Sequence, residues 1–204
     1  MFGFVNLAAG PHALMLQLAV VLPIFLLSIT FHEFAHAATA SALGDPTPGR
    51  AGRVTLNPLA HLDVLGTLMI LFGPIGWAKP VPIDERHLGR WGTALVSLAG
   101  PIANLGLAVA ALWTLKHAAG PIRPLEMAFE LNLALAVFNL LPIPPLDGSQ
   151  LVRGLLPQRW RPGYYQLLPY GIVILLALVW LPGGGALVGH VIDTAARGLD
   201  RLIP

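Results

Sequence analysis

HEFAH, residues 32–36, lies inside an apolar run over residues 13–43 in which Glu33 is the only Asp, Glu, Lys or Arg. On a helix, His32 and His36 are one turn apart and face the same way, so both imidazoles can bind one zinc ion. Glu33 lies beside them, where it can accept a proton from a water molecule that the ion polarises. Ionisable groups within a lipid-buried helix are costly and usually mark function. The stretch therefore predicts a helix that carries a metal site within a membrane.

The composition is that of an integral membrane protein. Of the 204 residues, 55% are hydrophobic and 11% are charged, against roughly 25% charged in a soluble domain. The net charge is +2, and the basic residues lie in short loops, where membrane topology explains them, so no nucleic-acid partner is expected. The chain has no cysteine, which excludes disulfides and thiolate zinc ligands. The length leaves room for about four to six spans in a single membrane-embedded domain, residues 1–204.

Four apolar segments are long enough to cross a bilayer: 13–43, 92–115, 125–146 and 165–181. As one helix the first would be about 46 Å long, which exceeds the roughly 30 Å hydrocarbon core. Pro23 is therefore expected to break or kink it. The sequence predicts an all-α polytopic membrane protein, a bundle of about four to six transmembrane helices.

A fifth apolar stretch, residues 64–77, is interrupted by Gly73, Pro74 and Gly76. At about 21 Å it is too short to span comfortably. We expect a re-entrant segment whose backbone is covered by protein. The residues before this stretch, Arg53 to Leu56, are predicted to form a short strand. The region after the first long helix is therefore expected to contain a membrane-associated strand and a re-entrant segment.

The loop charges predict the orientation. Loops 44–63, 78–91 and 147–164 carry eight of the twelve basic residues and share one side if residues 64–77 do not cross. The positive-inside rule makes that side cytoplasmic. We therefore expect a multi-pass protein of the cell membrane whose site opens toward the cytoplasm. After a core at 13–181, residues 186–203 form an amphipathic pattern, as in a helix on the membrane surface or against the bundle.

Two histidines do not complete a catalytic zinc site, which usually has three protein ligands and a water. Several other candidates are better explained without the metal. Surface positions are expected for the four histidines His12, His87, His117 and His190. A polar loop role or a supporting role is expected for His61 and Asp63, which lie near the site in the sequence. A helix start on the opposite membrane face is expected for Glu126 and Glu130.

Asp147 is the candidate third ligand. It follows NLLPIPPL, residues 139–146, whose prolines end the preceding helix and leave extended backbone at the cytoplasmic side. His36 lies seven residues before Leu43, about 10 Å below the same face, so the two side chains can meet. The alternative is that Asp147 caps a short helix that begins near Gly148. The nearby histidine pair favours the ligand, because the site needs a carboxylate or imidazole.

The combination of motifs resembles the site-2 protease family of intramembrane zinc metalloproteases, in a compact bacterial-type branch without a PDZ or regulatory domain. The segments that carry the resemblance are HEFAH, GRVTLNPLAHLDVLGT at 52–67, GWAKPVP at 76–82, AGPIANL at 99–105 and NLLPIPPLDG at 139–148. The resemblance implies that His32, His36 and Asp147 bind Zn²⁺ and that Glu33 is the catalytic acid and base. It also implies that Asn139 lies near the substrate or the developing oxyanion, and that the substrate is a transmembrane protein or peptide in the lipid bilayer.

Several roles stay open at this point. Asn139 can donate to the tetrahedral oxygen or make an interhelical hydrogen bond. Asn104 has the same ambiguity, and packing is favoured because small residues surround it. The strand at 53–56 can pair with an unwound substrate or be an ordinary loop strand.

Other classes of protein give different expectations. Zinc proteases that cut at the membrane surface use a glutamate from a later helix, and none is placed for that here. The alternative to an enzyme is a non-proteolytic zinc-binding scaffold or a metal transporter. A transporter should carry polar residues along several spans, whereas this chain concentrates them at one depth.

Overall fold

The computed structural model describes residues 10–63, 66, 78–181 and 183–204. Eight α-helices lie within these residues: α1 Pro11–Ala42, α2 Thr47–Arg50, α3 Glu85–His117, α4 Arg123–Asn139, α5 Asp147–Leu155, α6 Arg161–Tyr165, α7 Gly171–Trp180 and α8 Gly184–Leu202. Short 3₁₀ turns at Pro58–Ala60, Gln158–Trp160 and Leu168–Tyr170 join them. Three stretches of the described chain are long and apolar enough to cross a membrane, Pro11–Ala42, Glu85–His117 and Gln158–Trp180. The protein is thus an all-helical membrane protein, and the number of spans stays a prediction.

Helix α1 continues through Pro23 without interruption. Of the expected break or kink, the break is absent; membrane helices tolerate proline because neighbouring groups compensate for its missing N–H. Ser28 and Thr30 bond the carbonyls of Ile24 and Leu26 on the same helix, at 2.7 and 2.6 Å. Their hydroxyls are thereby satisfied within an apolar helix. The helix carries the histidine pair in one rigid element.

Helix α3 begins after Asp84, whose side chain accepts from the N–H of Arg86 at 3.0 Å. Gly89 has a φ of 58° and separates the first turn from the rest. That left-handed conformation is costly for any residue with a Cβ atom. The long remainder of α3 packs between α1 and α4, so it reaches the histidine face of α1.

Helix α4 ends at Asn139, seven residues before the predicted end of the 125–146 segment. The helix ends within the apolar segment, as the sequence predicts, because Pro142, Pro144 and Pro145 lack a backbone N–H and disfavour helical backbone before them. The chain turns irregularly there and then forms α5 from Asp147. Gly148 lies where a Cβ atom would meet the carbonyl oxygens of Leu140 and Leu141. This turn brings the start of α5 back to the end of α4.

The apolar core lies where the long helices meet. Phe25 and Ile29 of α1 pack with Leu131 of α4. A second cluster joins α3, α4 and α8 through Ala108, Leu133, Ala134, Val188 and Ile192. The amphipathic C-terminal segment therefore lies against the bundle, where Lys116 of α3 also forms an ion pair with Asp200 at 3.2 Å.

The loop after α2 is irregular. Residues 53–56 are not in a β-ladder, and within the described residues no partner strand runs beside them. A ladder needs two strands, so the predicted short strand is not formed in the free chain. The predicted re-entrant stretch at 64–77 lies, apart from Gly66, outside the described residues.

Candidate metal centre

His32 and His36 bring their Nε2 atoms within 3.0 Å of each other. Both side chains lie on the same face of α1, as the four-residue spacing requires, and both are buried. Residues one turn apart on the helix therefore present two nitrogen ligands to one point in space.

Asp147 completes the group from the first residue of α5. Its Oδ2 atom lies 3.0 Å from His32 Nε2 and 3.2 Å from His36 Nε2. Leu146, and not Asp147, occupies the cap position before α5, and no side chain caps that helix. The structure thus brings the aspartate to the histidines and does not use it as the helix cap that the sequence also allowed.

The three ligand atoms fit a zinc ion. Within the described residues, this is the group of His, Asp and Glu side chains whose atoms converge closely enough to hold a metal. Ligands at about 2.0–2.1 Å from a tetrahedral zinc lie roughly 3.3–3.5 Å apart, close to the 3.0–3.2 Å observed. Two nitrogens and one carboxylate oxygen are the donor set of many catalytic zinc sites, in which the fourth position is left to water or substrate.

Helix α3 passes the ligand atoms at Gly100. A Cβ atom there would lie 2.6 Å from His32 Nε2 and closer still to His36 Nε2. Such distances are not tolerated, and the tips of the two imidazoles cannot retreat without leaving Asp147. Glycine is therefore required for α3 to approach the two imidazoles this closely.

The far ring nitrogens of both histidines are also held by α3. His36 Nδ1 lies 2.6 Å from the backbone oxygen of Val96, and a carbonyl oxygen only accepts, so Nδ1 donates. His32 Nδ1 lies 2.6 Å from Asn104 Oδ1. Outer contacts of this kind orient metal-binding imidazoles. The sequence favours packing for Asn104, and the signal for a contact with a histidine is an amide in the middle of an apolar span.

Glu33 is buried next to the ligands, at 8% exposure. Its carboxylate acts electrostatically on Arg53, which is also buried. Burial lowers the pKa of Arg53, and the charge of Glu33 opposes that effect. Arg53 donates to the backbone oxygens of Ala60, at 2.7 Å, and Lys79. The loop that approaches Glu33 is therefore fixed through its guanidinium.

Asn139 lies at the last turn of α4 and is half-buried. Its Nδ2 donates to Leu135 O of the same helix at 3.1 Å. This contact is neither the interhelical bond nor a substrate contact that the sequence analysis considered. Asn139 lies eight residues before Asp147, and the irregular segment between α4 and α5 separates them.

The remaining candidates lie away from the ligand group. The side chains of His12, His87, His117 and His190 are exposed. His61 is fully buried and its Nε2 contacts Thr55 O at 2.8 Å, which is a loop contact. Asp63 accepts from Gly66 N at 2.8 Å. Glu126 pairs with Arg123 at 3.0 Å on the first turn of α4.

Asp45 fixes the end of helix α1, which carries His32 and His36. Its two carboxylate oxygens accept from the N–H groups of Thr47, at 2.9 Å, and Asp84, at 2.7 Å. Burial raises its pKa, but these hydrogen bonds outweigh burial and bring the pKa below 3.8. The chain after α1 is thereby tied to the start of α3, which helps to hold the two helices in register.

Comparison with known proteins agrees with this chemistry. Residues 114–181 match the family model described as Peptidase family M50. The chain is 38% identical over 206 residues to the Bacillus subtilis (strain 168) protein "Putative zinc metalloprotease YwhC", across 94% of this chain and 93% of that protein. It is 35% identical to "Putative zinc metalloprotease Rip2" of Mycolicibacterium smegmatis, across 78% of this chain and 65% of that protein. It is 28% identical to "Putative zinc metalloprotease MJ0611" of Methanocaldococcus jannaschii, across 74% of this chain and 75% of that protein. No solved structure matches the chain significantly.

Proposed function

Because the chain belongs to peptidase family M50, the site-2 protease family of intramembrane zinc metalloproteases, we propose that it hydrolyses peptide bonds in or near transmembrane segments of membrane proteins or peptides. The observation that carries this proposal is the convergence of His32, His36 and Asp147 on one point beside the bundle core. These three residues are the proposed zinc ligands.

A zinc ion held there would supply a Lewis acid and lower the pKa of a bound water to about 7. The protein's own contribution comes from the buried surroundings. Glu33 is proposed to accept the proton of the attacking water and to pass it to the leaving amine. Its burial beside the histidine pair supports this role. Residues of the apolar bundle keep bulk water away from the other sides of the group, which strengthens electrostatic interactions within it.

Asn139 is proposed to contact the substrate or the developing oxyanion. Its position at the end of α4, directly before the turn that leads to Asp147, supports this role. Its present bond to Leu135 O uses one of its two N–H groups, so the amide keeps a donor for a substrate oxygen.

The loop at 53–56 is proposed to align an unwound substrate. A helix has no free backbone groups, so a helical substrate must unwind before cleavage. Val54 and Leu56 are 43% and 51% exposed, and the loop is anchored at one end by the buried Arg53. A fixed loop that exposes Val54 and Leu56 is suited to pairing with an extended peptide.

The site is proposed to open toward the cytoplasm in a multi-pass protein of the cell membrane. Eight of the twelve basic residues lie in the loops on the side where α1 ends and α5 begins, and the positive-inside rule supports that orientation. The proposal treats residues 1–204 as one membrane-embedded unit, with α8 as its peripheral helix.

A Glu33→Gln variant tests the proposed enzyme. In proteoliposomes it should retain one zinc per chain by elemental analysis and cleave a labelled transmembrane peptide about 10²–10⁴-fold more slowly, the usual contribution of a proton-transfer group. Glu130→Gln is the matched control, because that glutamate is exposed on α4. A scaffold or metal transporter would function as before after Glu33→Gln, and undiminished cleavage would contradict the proposal. Membrane proteins that accumulate in cells with the variant, identified by mass spectrometry, are the candidate substrates.

A further inference from the structure

Two asparagines connect the metal centre to the centre of the bundle. Asn104 of α3 is fully buried and Asn132 of α4 is 3% exposed. Asn104 Nδ2 lies 2.9 Å from Asn132 Oδ1, and Asn104 Oδ1 lies 2.6 Å from His32 Nδ1. A buried amide is costly unless its groups are hydrogen-bonded. The three side chains therefore form one continuous hydrogen-bonded chain across α4, α3 and α1.

Two backbone carbonyls fix which atom donates and which accepts at each step of this hydrogen-bonded series. Asn132 Nδ2 lies 2.8 Å from Ala128 O, and Asn104 Nδ2 lies 3.1 Å from Ser28 O. A carbonyl oxygen only accepts, so each amide must turn its nitrogen toward its carbonyl. The oxygen of Asn132 then faces Asn104, and the oxygen of Asn104 faces His32. Reversing either amide would place two oxygens against each other.

The donor-to-acceptor order of these hydrogen bonds determines which ring nitrogen of His32 carries the proton. An amide oxygen cannot donate, so His32 Nδ1 must be the donor to Asn104. The lone pair of the neutral ring is then on Nε2, the atom that faces His36 and Asp147. We infer that Asn132 and Asn104 are positioning residues, which hold the His32 ring in the orientation and proton arrangement in which Nε2 binds zinc. This inference rests on the proposed function, because it takes His32 as a zinc ligand.

The action of Asn132 is indirect. It contacts Asn104 and its own helix, and its role toward the metal is to keep the Asn104 amide from turning over. When the Asn104 amide is removed, Asn132 no longer has a side chain to orient toward His32. The effects of the two residues on zinc binding are therefore coupled and not additive, whereas two ordinary packing residues would weaken the bundle independently.

The test measures zinc affinity of the full-length, zinc-loaded protein in detergent by competition with a chromophoric chelator. Asn104→Ala should weaken zinc binding about 10–100-fold, as losses of such outer contacts do. Asn132→Leu should weaken it by a smaller factor, and the double variant should bind zinc no more weakly than Asn104→Ala alone. Asn104→Asp, which keeps an oxygen acceptor for His32 Nδ1, should retain zinc more tightly than Asn104→Ala.

Thr114→Val is the matched control on α3. Thr114 is exposed and its hydroxyl bonds Ala110 O of its own helix at 2.8 Å, so its removal should leave zinc affinity unchanged. A lower unfolding temperature with unchanged zinc affinity in Asn104→Ala and Asn132→Leu would overturn the inference. A fully additive double variant would also overturn it. Should Asn104→Ala not fold, weaker zinc binding in Asn132→Leu than in Thr114→Val supports the inference, and equal affinity in those two variants overturns it.

A His32→Ala variant separates this inference from the proposed function. Its loss of zinc, together with unchanged affinity in both asparagine variants, would remove the positioning role alone. Zinc retained at full affinity in His32→Ala would remove the metal centre itself, and the inference with it.

Discussion

His36 Nε2 lies 3.2 Å from Asp147 Oδ2, although 111 positions separate the two residues in the chain. The contact joins the long α1 helix to the first residue of the short α5 helix. A carboxylate at this distance from two imidazoles supplies the third of the three side chains that a catalytic zinc site usually has.

Asp147→Asn tests this relationship directly. The amide keeps the shape of the side chain but loses its charge, so zinc content should fall below one per chain. Peptide cleavage should fall at least about 100-fold, because several kcal/mol of transition-state stabilisation depend on the metal. Elemental analysis and a cleavage assay measure both. Asp193→Asn, at an exposed position of α8, is the control, and full zinc content in Asp147→Asn would show that the aspartate is not a ligand.

Gly100→Ala should disrupt the centre through a single methyl group. Its Cβ would lie 2.6 Å from His32 Nε2 and closer still to His36 Nε2, which is a steric clash. Helix α3 must therefore shift away from α1. Overpacking of this kind costs about 1–3 kcal/mol, and we expect lost zinc and lost cleavage. Gly106→Ala on the same helix meets nothing within 4 Å and should stabilise the protein by about 0.5–1 kcal/mol. Equal zinc content and activity in the two variants would contradict the expected close approach.

Val54→Pro tests the loop that is proposed to align the substrate. The substitution removes a backbone N–H and with it one hydrogen bond to an extended peptide. Cleavage of a transmembrane peptide should fall, chiefly through a higher KM, whereas zinc content should stay the same. Val54→Thr keeps the N–H and the branched side chain and should behave as the unsubstituted chain. Unchanged kinetics in Val54→Pro would remove the pairing role.

Asp45→Asn should destabilise the junction between α1 and α3. The pKa of Asp45 is lowered in the folded protein, so its contribution to stability is present above pH 3.8 and is lost as the pH falls below that value. Hydrogen bonds to a charged group contribute about 1.5–3 kcal/mol. The variant should therefore unfold at a lower temperature than the unsubstituted chain at pH 7, and the difference should shrink below pH 3.8. Thermal unfolding in detergent measures it, and a difference that grew with falling pH would refute the assignment.

Much of the site follows from local features of the sequence. The spacing of His32 and His36 fixes their common face because every α-helix has the same period. Hydropathy identifies the apolar helices because the side chains that face lipid must be apolar. Asp147 is predicted as a candidate ligand because three closely spaced prolines, Pro142, Pro144 and Pro145, end the helix before it.

The tertiary structure decided the features that depend on how two helices meet. The sequence around Gly100 and Asn104 indicates close packing, but not which side chains lie opposite. Only the packing of α3 on α1 places Gly100 at the ligand tips and Asn104 at the far side of His32. Likewise, the bond from Asn132 to Asn104 depends on the rotation of α4 about its axis. Periodicity is a property of one helix alone, whereas the depth and rotation at which helices pack are set jointly by all the side chains between them.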